Sequence, residues 1–314
     1  MKKIIALGFA LAISITSFAQ DDLLELVKDP NKKEPSKPVY ATFKTTKIVS
    51  AQTIETVKKN NLDFRITHRF GNIYNSTLSN PLNDAAHNYF GIDNASDIRL
   101  SFDYGITDKL TIGIGRSKYR EMYDGNVKWR FLTQTEDNKI PLSLCFYGDL
   151  GYTSMKTDNL YAGMVRPKTN EAHRFQYCSQ LLIARKFNNW FSLQLIPSFV
   201  HRNFIKRQVN TSNGKEDTNE LFSLGIGGRI KLTKRVAIVA DYFYNFSEFQ
   251  TNNPMGYYNP LAVGFEIETG GHVFHVNFTN SVAILESSLL TTTQDSWLKG
   301  QIKLGFNISR WFAF

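Results

Sequence analysis

From Leu62 onward, apolar and polar residues take turns along the chain. Leu62, Phe64, Ile66 and Phe70 alternate with Asp63, Arg65, Thr67 and Arg69. Ile98, Leu100, Phe102 and Tyr104 alternate with Arg99, Ser101 and Asp103, a tight turn follows at Gly105 to Asp108, and Leu110, Ile112 and Ile114 begin the return. The same period marks Val127, Trp129 and Phe131, then Leu142, Leu144 and Phe146, then Phe175, Tyr177, Ser179, Leu181 and Ile183. It continues in Phe191, Leu193 and Leu195, in Phe222, Leu224, Ile226, Ile230 and Leu232, and in Val236, Ile238, Ala240, Tyr242 and Tyr244. Leu261, Val263, Phe265 and Ile267, then Phe274, Val276 and Phe278, then the stretch from Leu298 to Phe314 complete twelve runs, of which the fourth and eleventh are weakest. A strand points successive side chains to opposite faces. Strict alternation over roughly 9–11 residues is what a tilted strand needs to cross a membrane.

The connections supply a second test. Those at 105–109, 135–139, 187–189, 233–235 and 270–271 are short, and those at 71–96, 117–125, 153–173, 206–219, 250–259 and 281–296 are long. Outer-membrane barrels pair short periplasmic turns with longer external loops. A soluble β-sandwich also alternates, but nothing in it requires every second loop to be long. The expected fold is all-β: a transmembrane antiparallel up-and-down β-barrel of about twelve strands, with both termini periplasmic.

Upstream of the barrel the pattern changes. Met1-Lys2-Lys3, an apolar run from Ile4 to Ile15, and Ser17 and Ala19 at the −3 and −1 positions of a cut make residues 1–19 a secretory signal peptide. Residues 20–60 form a separate N-terminal segment, and 61–314 the outer-membrane barrel. Residues 29–38 are polar with prolines at 30, 35 and 38, so they read as a linker. A short strand is expected over 39–49, and Ser50 is a candidate cap for a brief helix through Val57. The segment is too small for a core of its own. It lies in the periplasm or folds back into the barrel mouth as a plug.

Composition fits the pattern. The chain is 13% aromatic, yet only 42% hydrophobic, with a mean hydropathy of −0.28, as expected where lipid-facing and lumen-facing residues alternate. The formal charge of +9, on an exported chain, points to lipopolysaccharide phosphates or small anionic solutes rather than nucleic acid. Trp129, Trp190, Trp297 and Trp311 fall near strand ends, where aromatic girdles sit. Phe314 shares a face with Phe312, Ile308, Phe306, Leu304 and Ile302, which resembles the insertion signal read by barrel-assembly machinery; Arg310 departs from it.

Several segments carry a family resemblance: ATFKTT at 41–46, DFRITHRFG at 63–71, YFGIDNA at 89–95 and DYGITDKLTIGIGRS at 103–117. Together they resemble an uncharacterised β-barrel family of Bacteroidota outer membranes, a domain of unknown function numbered 5777 in its series. The resemblance runs from about Val39 to the C-terminus. It implies a barrel and a compartment, and it brings no substrate and no functional residues.

The candidate chemistry lies opposite the apolar faces. Parity assigns Arg65, Arg69, Arg99, Asp103, Lys128, Arg130, Arg229, Lys231, Glu266, Glu268, Lys299 and Lys303 to the lumen, joined by Asp63, Asp149, Arg174, Lys186 and Asp241. That set is net basic. It suits a narrow pore favouring anions, or a closed interior stitched by ion pairs in a non-conducting structural or docking barrel. An outer-membrane lipid hydrolase is the least supported reading: no Gly-x-Ser-x-Gly elbow exists, and His68, His201 and Ser179 lie on the lipid-side parity without identifiable partners. No enzyme activity, cofactor or metal is expected. His272 and His275 are three apart on one strand and face opposite ways. Asp84, Asp93, Asn94 and Asp97 lack the spacing of a calcium loop. Cys145 and Cys178 share lumen parity and are expected as free thiols.

Overall fold

The computed structural model describes residues 36–165 and 168–314, so the signal peptide lies outside the described residues. The alternation becomes a wall. Its strands are β1 (Asn61–Asn72), β2 (Ala95–Thr107), β3 (Leu110–Ser117), β4 (Met122–Leu132), β5 (Ser143–Thr153), β6 (Phe175–Lys186) and β7 (Phe191–Arg202). After a two-residue hairpin of β8 (Val209–Asn210) and β9 (Lys215–Glu216) come β10 (Glu220–Lys231), β11 (Val236–Phe246), β12 (Leu261–Thr269), β13 (His272–Thr279) and β14 (Lys303–Ala313). β8 and β9 pair only with each other; the other strands pair antiparallel with their neighbours, and β1 closes on β14, giving a closed barrel of twelve strands. Among the described residues no helix is long and apolar enough to cross a membrane.

Burial is inverted relative to a water-soluble protein. On β1, Asp63, Arg65, Thr67 and Arg69 are buried, while Leu62, Phe64, Ile66 and Phe70 are partly open on the outer face. Ladder pairing lines up the outward residues: Phe64 lies beside Phe102 with ring centroids 5.0 Å apart, and Ile66 sits between Leu100 and Ile308. Ile114 is 65% exposed on the same outer surface. Such a surface is stable only against hydrocarbon, where an apolar band costs nothing and every backbone group is satisfied by the closed ladder.

The structure departs from the sequence reading in several places. The weak fourth run is a full strand beginning at Met122, so the connection expected at 117–125 shrinks to 118–121, where Arg120 and Glu121 both take positive φ (53° and 49°). The next connection is longer than expected because residues 37–39 pair with it: Val39 N–H donates to the Gln134 carbonyl at 2.8 Å, and Glu136 N–H to that of Lys37 at 2.9 Å. The last strand starts at Lys303; Trp297–Lys299 is a 3-10 turn before it. The strand over 39–49 and the helix over 50–57 do not form. Their place is taken by an irregular segment whose polar groups bind the barrel wall. Trp311 lines the inner mouth of the barrel rather than an outer girdle, and the Trp297 indole donates to the Leu261 carbonyl at 3.2 Å.

Candidate functional site

The lumen is occupied by two pieces of the same chain. From the short-turn end, which loop asymmetry makes periplasmic, residues 42–57 enter and are almost wholly buried. Their partners come from all round the wall. Asp241 on β11 accepts the backbone N–H groups of Val49, Ser50 and Ala51 at 3.0, 2.9 and 3.3 Å through one oxygen. Gln194 on β7 accepts from the Ile54 N–H at 3.0 Å and donates to the Gln52 carbonyl at 2.7 Å. Lys128 on β4 donates to the Thr46 carbonyl at 2.9 Å, and Thr111 on β3 accepts from the Val57 N–H at 2.9 Å. Arg69 on β1 reaches the Ser50 hydroxyl at 3.2 Å, and Asn307 on β14 the Val49 carbonyl at 3.3 Å. Phe43, Ile48, Val49 and Ile54 add an apolar patch against Tyr147, Leu182, Ile196, Val239 and Phe243.

From the opposite end, the connection between β13 and β14 folds inward and carries a buried helix, Glu286–Thr292. Asp97 accepts the Ile284 N–H at 3.2 Å, Gln176 donates to the Ser287 and Ser288 hydroxyls at 2.8 and 3.0 Å, and Asn245 donates to the Leu290 carbonyl at 2.6 Å. The two occupants meet at one polar seam. Lys47 Nζ lies 2.5 Å from Glu286 Oε1, which also accepts from Gln52 Nε2 at 2.9 Å; the Tyr147 hydroxyl donates to Oε2 at 3.3 Å. Burial works to raise the Glu286 carboxyl, but the Lys47 ammonium and then Arg99 outweigh it and hold it below the usual carboxylate range.

Below the occupants, a mouth of about 690 Å³ opens at the short-turn end between Tyr40, Phe43, Lys44, Glu55 and Trp311. Ion pairs cross it: Lys44 with Glu268 at 2.6 Å and Arg130 with Glu55 at 3.4 Å.

The sequence matches the membrane bound beta barrel domain family (DUF5777) over residues 43–312. The chain belongs to that family. The DUF5777 match includes most of the inserted N-terminal segment as well as the wall, and it fixes the compartment expected of such barrels, the outer membrane. No match was found among curated proteins. Solved structures of similar fold include the KdgM porin (9% identity, covering 81% of this chain and 99% of that one, TM-score 0.43), the Acinetobacter baumannii outer membrane protein Omp33 (10%, 83% and 100%, 0.39) and the CymD monoaromatic hydrocarbon channel (10%, 82% and 90%, 0.37).

The charged residues assigned by parity divide into three groups. Arg65, Arg69, Arg99, Lys128, Asp63, Asp149, Asp241, Glu266 and Lys303 are buried inside the wall. Arg65 pairs with Asp63 at 3.2 Å, Arg229 with Glu266 at 2.8 Å, and Lys303 with Asp295. Asp103 accepts from Asn126 at 3.3 Å. Arg130, Glu268, Lys186 and Lys231 lie towards the short-turn rim, where Lys186 donates to the Tyr40 carbonyl at 3.0 Å. Lys299 and Arg174 are not in the lumen: both sit in connections at the loop end, Lys299 in its 3-10 turn and Arg174 bonded to the Thr153 and Met155 carbonyls. Two lumen acids were missed. Asp97 belongs to β2 and ties down Tyr119 and Ile284, and Asp124 belongs to β4 and pairs with Arg99 at 2.5 Å. Moving Lys299 and Arg174 out and Asp97 and Asp124 in removes most of the basic excess expected of the wall.

Cys145 and Cys178 are buried free thiols. Cys145 stands opposite Leu182 and Cys178 opposite Asp149, so the ladder register keeps them apart.

Proposed function

We propose that this barrel is an outer-membrane channel for small solutes, held closed by its own N-terminal segment and its last inward loop. The observation that carries the reading is how residues 42–57 are held. Beside their apolar patch they are fixed by side-chain hydrogen bonds from separate strands, and each of these bonds can be exchanged for water when the segment leaves. A barrel sealed by its own wall would fill the interior with large inward side chains. This wall instead leaves room for the segment, and at two places it does so with glycine. At Gly227 a Cβ would run into the Ile48 side chain, and at Gly105 into the Lys58 carbonyl.

The near balance of cations and anions along the wall favours weak charge selectivity over a preference for anions. No catalytic step is part of this reading. His201 Nδ1 faces Glu220 Oε1 at 3.1 Å at the loop rim, and Ser179 stands opposite Phe199 and Gly148, two residues along the ladder from the His201 position.

Planar-bilayer recording under a salt gradient tests the proposal, comparing refolded residues 20–314 with a variant lacking both 20–60 and 284–293, the two pieces that fill the lumen. The full chain is expected to be silent or rarely open, and the shortened chain to conduct steadily with a reversal potential near zero. Silence from both, with folding shown by heat-modifiable gel mobility, overturns the channel reading and leaves a non-conducting barrel.

A further inference from the structure

The outer surface of the barrel carries one indentation that the lumen does not explain. At the loop end a groove of about 480 Å³ is bounded by Ile73, Tyr74, Val263, Phe278, Trp297 and Ile302. Val263 and Phe278 are ladder partners on β12 and β13, and both stand on the outward register that faces hydrocarbon. Any filling for this groove therefore comes from the membrane. Tyr74 and Trp297 stand at the level where amphipathic aromatic rings mark the boundary between hydrocarbon and headgroups.

A cation adjoins the groove in the chain. Gly300 lines it, and the preceding Lys299 is exposed; the Lys299 ammonium lies 5.8 Å over the Tyr258 ring and makes no ion pair among the described residues. Leu298, next to it, is fully exposed at 100%. The carboxylate nearest to Lys299 in sequence, Asp295, is engaged with Lys303. An apolar slot opening to the bilayer, roofed by aromatic rings and followed by an unpaired cation, matches a lipid with a hydrocarbon tail and an anionic headgroup.

We propose that this groove is a binding site for an anionic glycolipid of the outer leaflet. One acyl chain lies over Val263 and Phe278, and a phosphate of the headgroup meets Lys299. The site is independent of whether the lumen conducts.

Native mass spectrometry of the full chain, released from detergent micelles after incubation with diphosphoryl lipid A or with phosphatidylethanolamine, tests the proposal. The wild type is expected to retain one lipid A. V263W, which fills the groove from the lipid side, is expected to retain none, and I73W serves as a second filling variant should V263W fold poorly. K299Q is expected to hold lipid A about fivefold less well, the loss of one surface cation near an anionic headgroup, with phosphatidylethanolamine retention unchanged. Lipid A retention equal to wild type in both filling variants, or unaltered in K299Q, overturns the proposal. Heat-modifiable mobility identifies the folded samples to compare.

Discussion

Replacing Asp241 with alanine should release the tip of the inserted segment while leaving the barrel closed. One Asp241 oxygen accepts three consecutive backbone N–H groups, from Val49, Ser50 and Ala51, at 2.9–3.3 Å. Alanine leaves all three donors buried without an acceptor. Each orphaned group costs about 1–3 kcal/mol. Water entering the vacated space relieves part of that, so the lower bound applies, about 3 kcal/mol for the three. At 1.4 kcal/mol per decade this shifts the seated-to-released equilibrium by more than about a hundredfold. Asparagine keeps a carbonyl oxygen at nearly the same place and should lose much less. Hydrogen exchange read by mass spectrometry over residues 44–57 measures the shift directly, since exchange there reports local opening. The expected result is a loss of protection confined to that stretch, with the β10 and β12 ladder amides beside Asp241 unchanged. Unaltered protection in the alanine variant would refute the reasoning, as would an equal loss across the whole barrel.

The seam between Lys47 and Glu286 should open in acid. Because Glu286 is held below its ordinary value near 4.5, its stabilisation is present above that pH and is lost as pH falls through the lowered folded value. The protection of residues 284–293, taken relative to intrinsic exchange at each pH, should therefore fall on the acid side in wild type, and Glu286→Gln should abolish that loss. Gly227→Val drives a side chain into Ile48, an overpacking that typically costs about 1–3 kcal/mol; raised open probability in bilayers with unchanged heat-modifiable mobility is the expected readout. Both thiols are buried: Cys145 pairs in the ladder with Arg130, which binds Glu55 of the inserted segment, whereas Cys178 shares its face with Gln176, which binds Ser287 and Ser288 of the inward helix. A small maleimide should label neither in the folded full chain, and Cys145 once residues 20–60 are removed.

The wall was legible because its signal is local. In β1 and β2 nearly every outward position carries an apolar side chain, His68 and Ser96 being the exceptions, so periodicity alone reveals the strand. In β4 that signal fades at Gly125, an outward residue without a side chain, and Asp124 beside it was taken for loop. Asp97 was hidden similarly, since β2 begins on Ala95 before its apolar run becomes regular. The inserted segment left no pattern that marked its course through the lumen. Its partners are wall residues far away in sequence, Asp241 about 190 positions on from the N–H groups it binds, and a stretch satisfied by distant side chains needs neither helical nor strand periodicity. The same holds for Glu286: nothing in a loop's own composition says whether it folds inward or outward.

The inserted segment is fastened at both ends. Residues 37–39 pair with the connection between β4 and β5, and Asn60 is bound to Gly105 and Phe314 through its backbone. Its tip can therefore leave Asp241 without ever leaving the neighbourhood of the lumen. Short flexible tethers hold a ligand at an effective concentration on the order of millimolar, and two tethers confine it further. A solute competing for the same interior works against that standing concentration, so each opening ends by a unimolecular return that does not depend on how much protein is in the membrane. The lifetime of the open state is accordingly a property of one chain, set by how tightly 37–39 and 60 grip the rim.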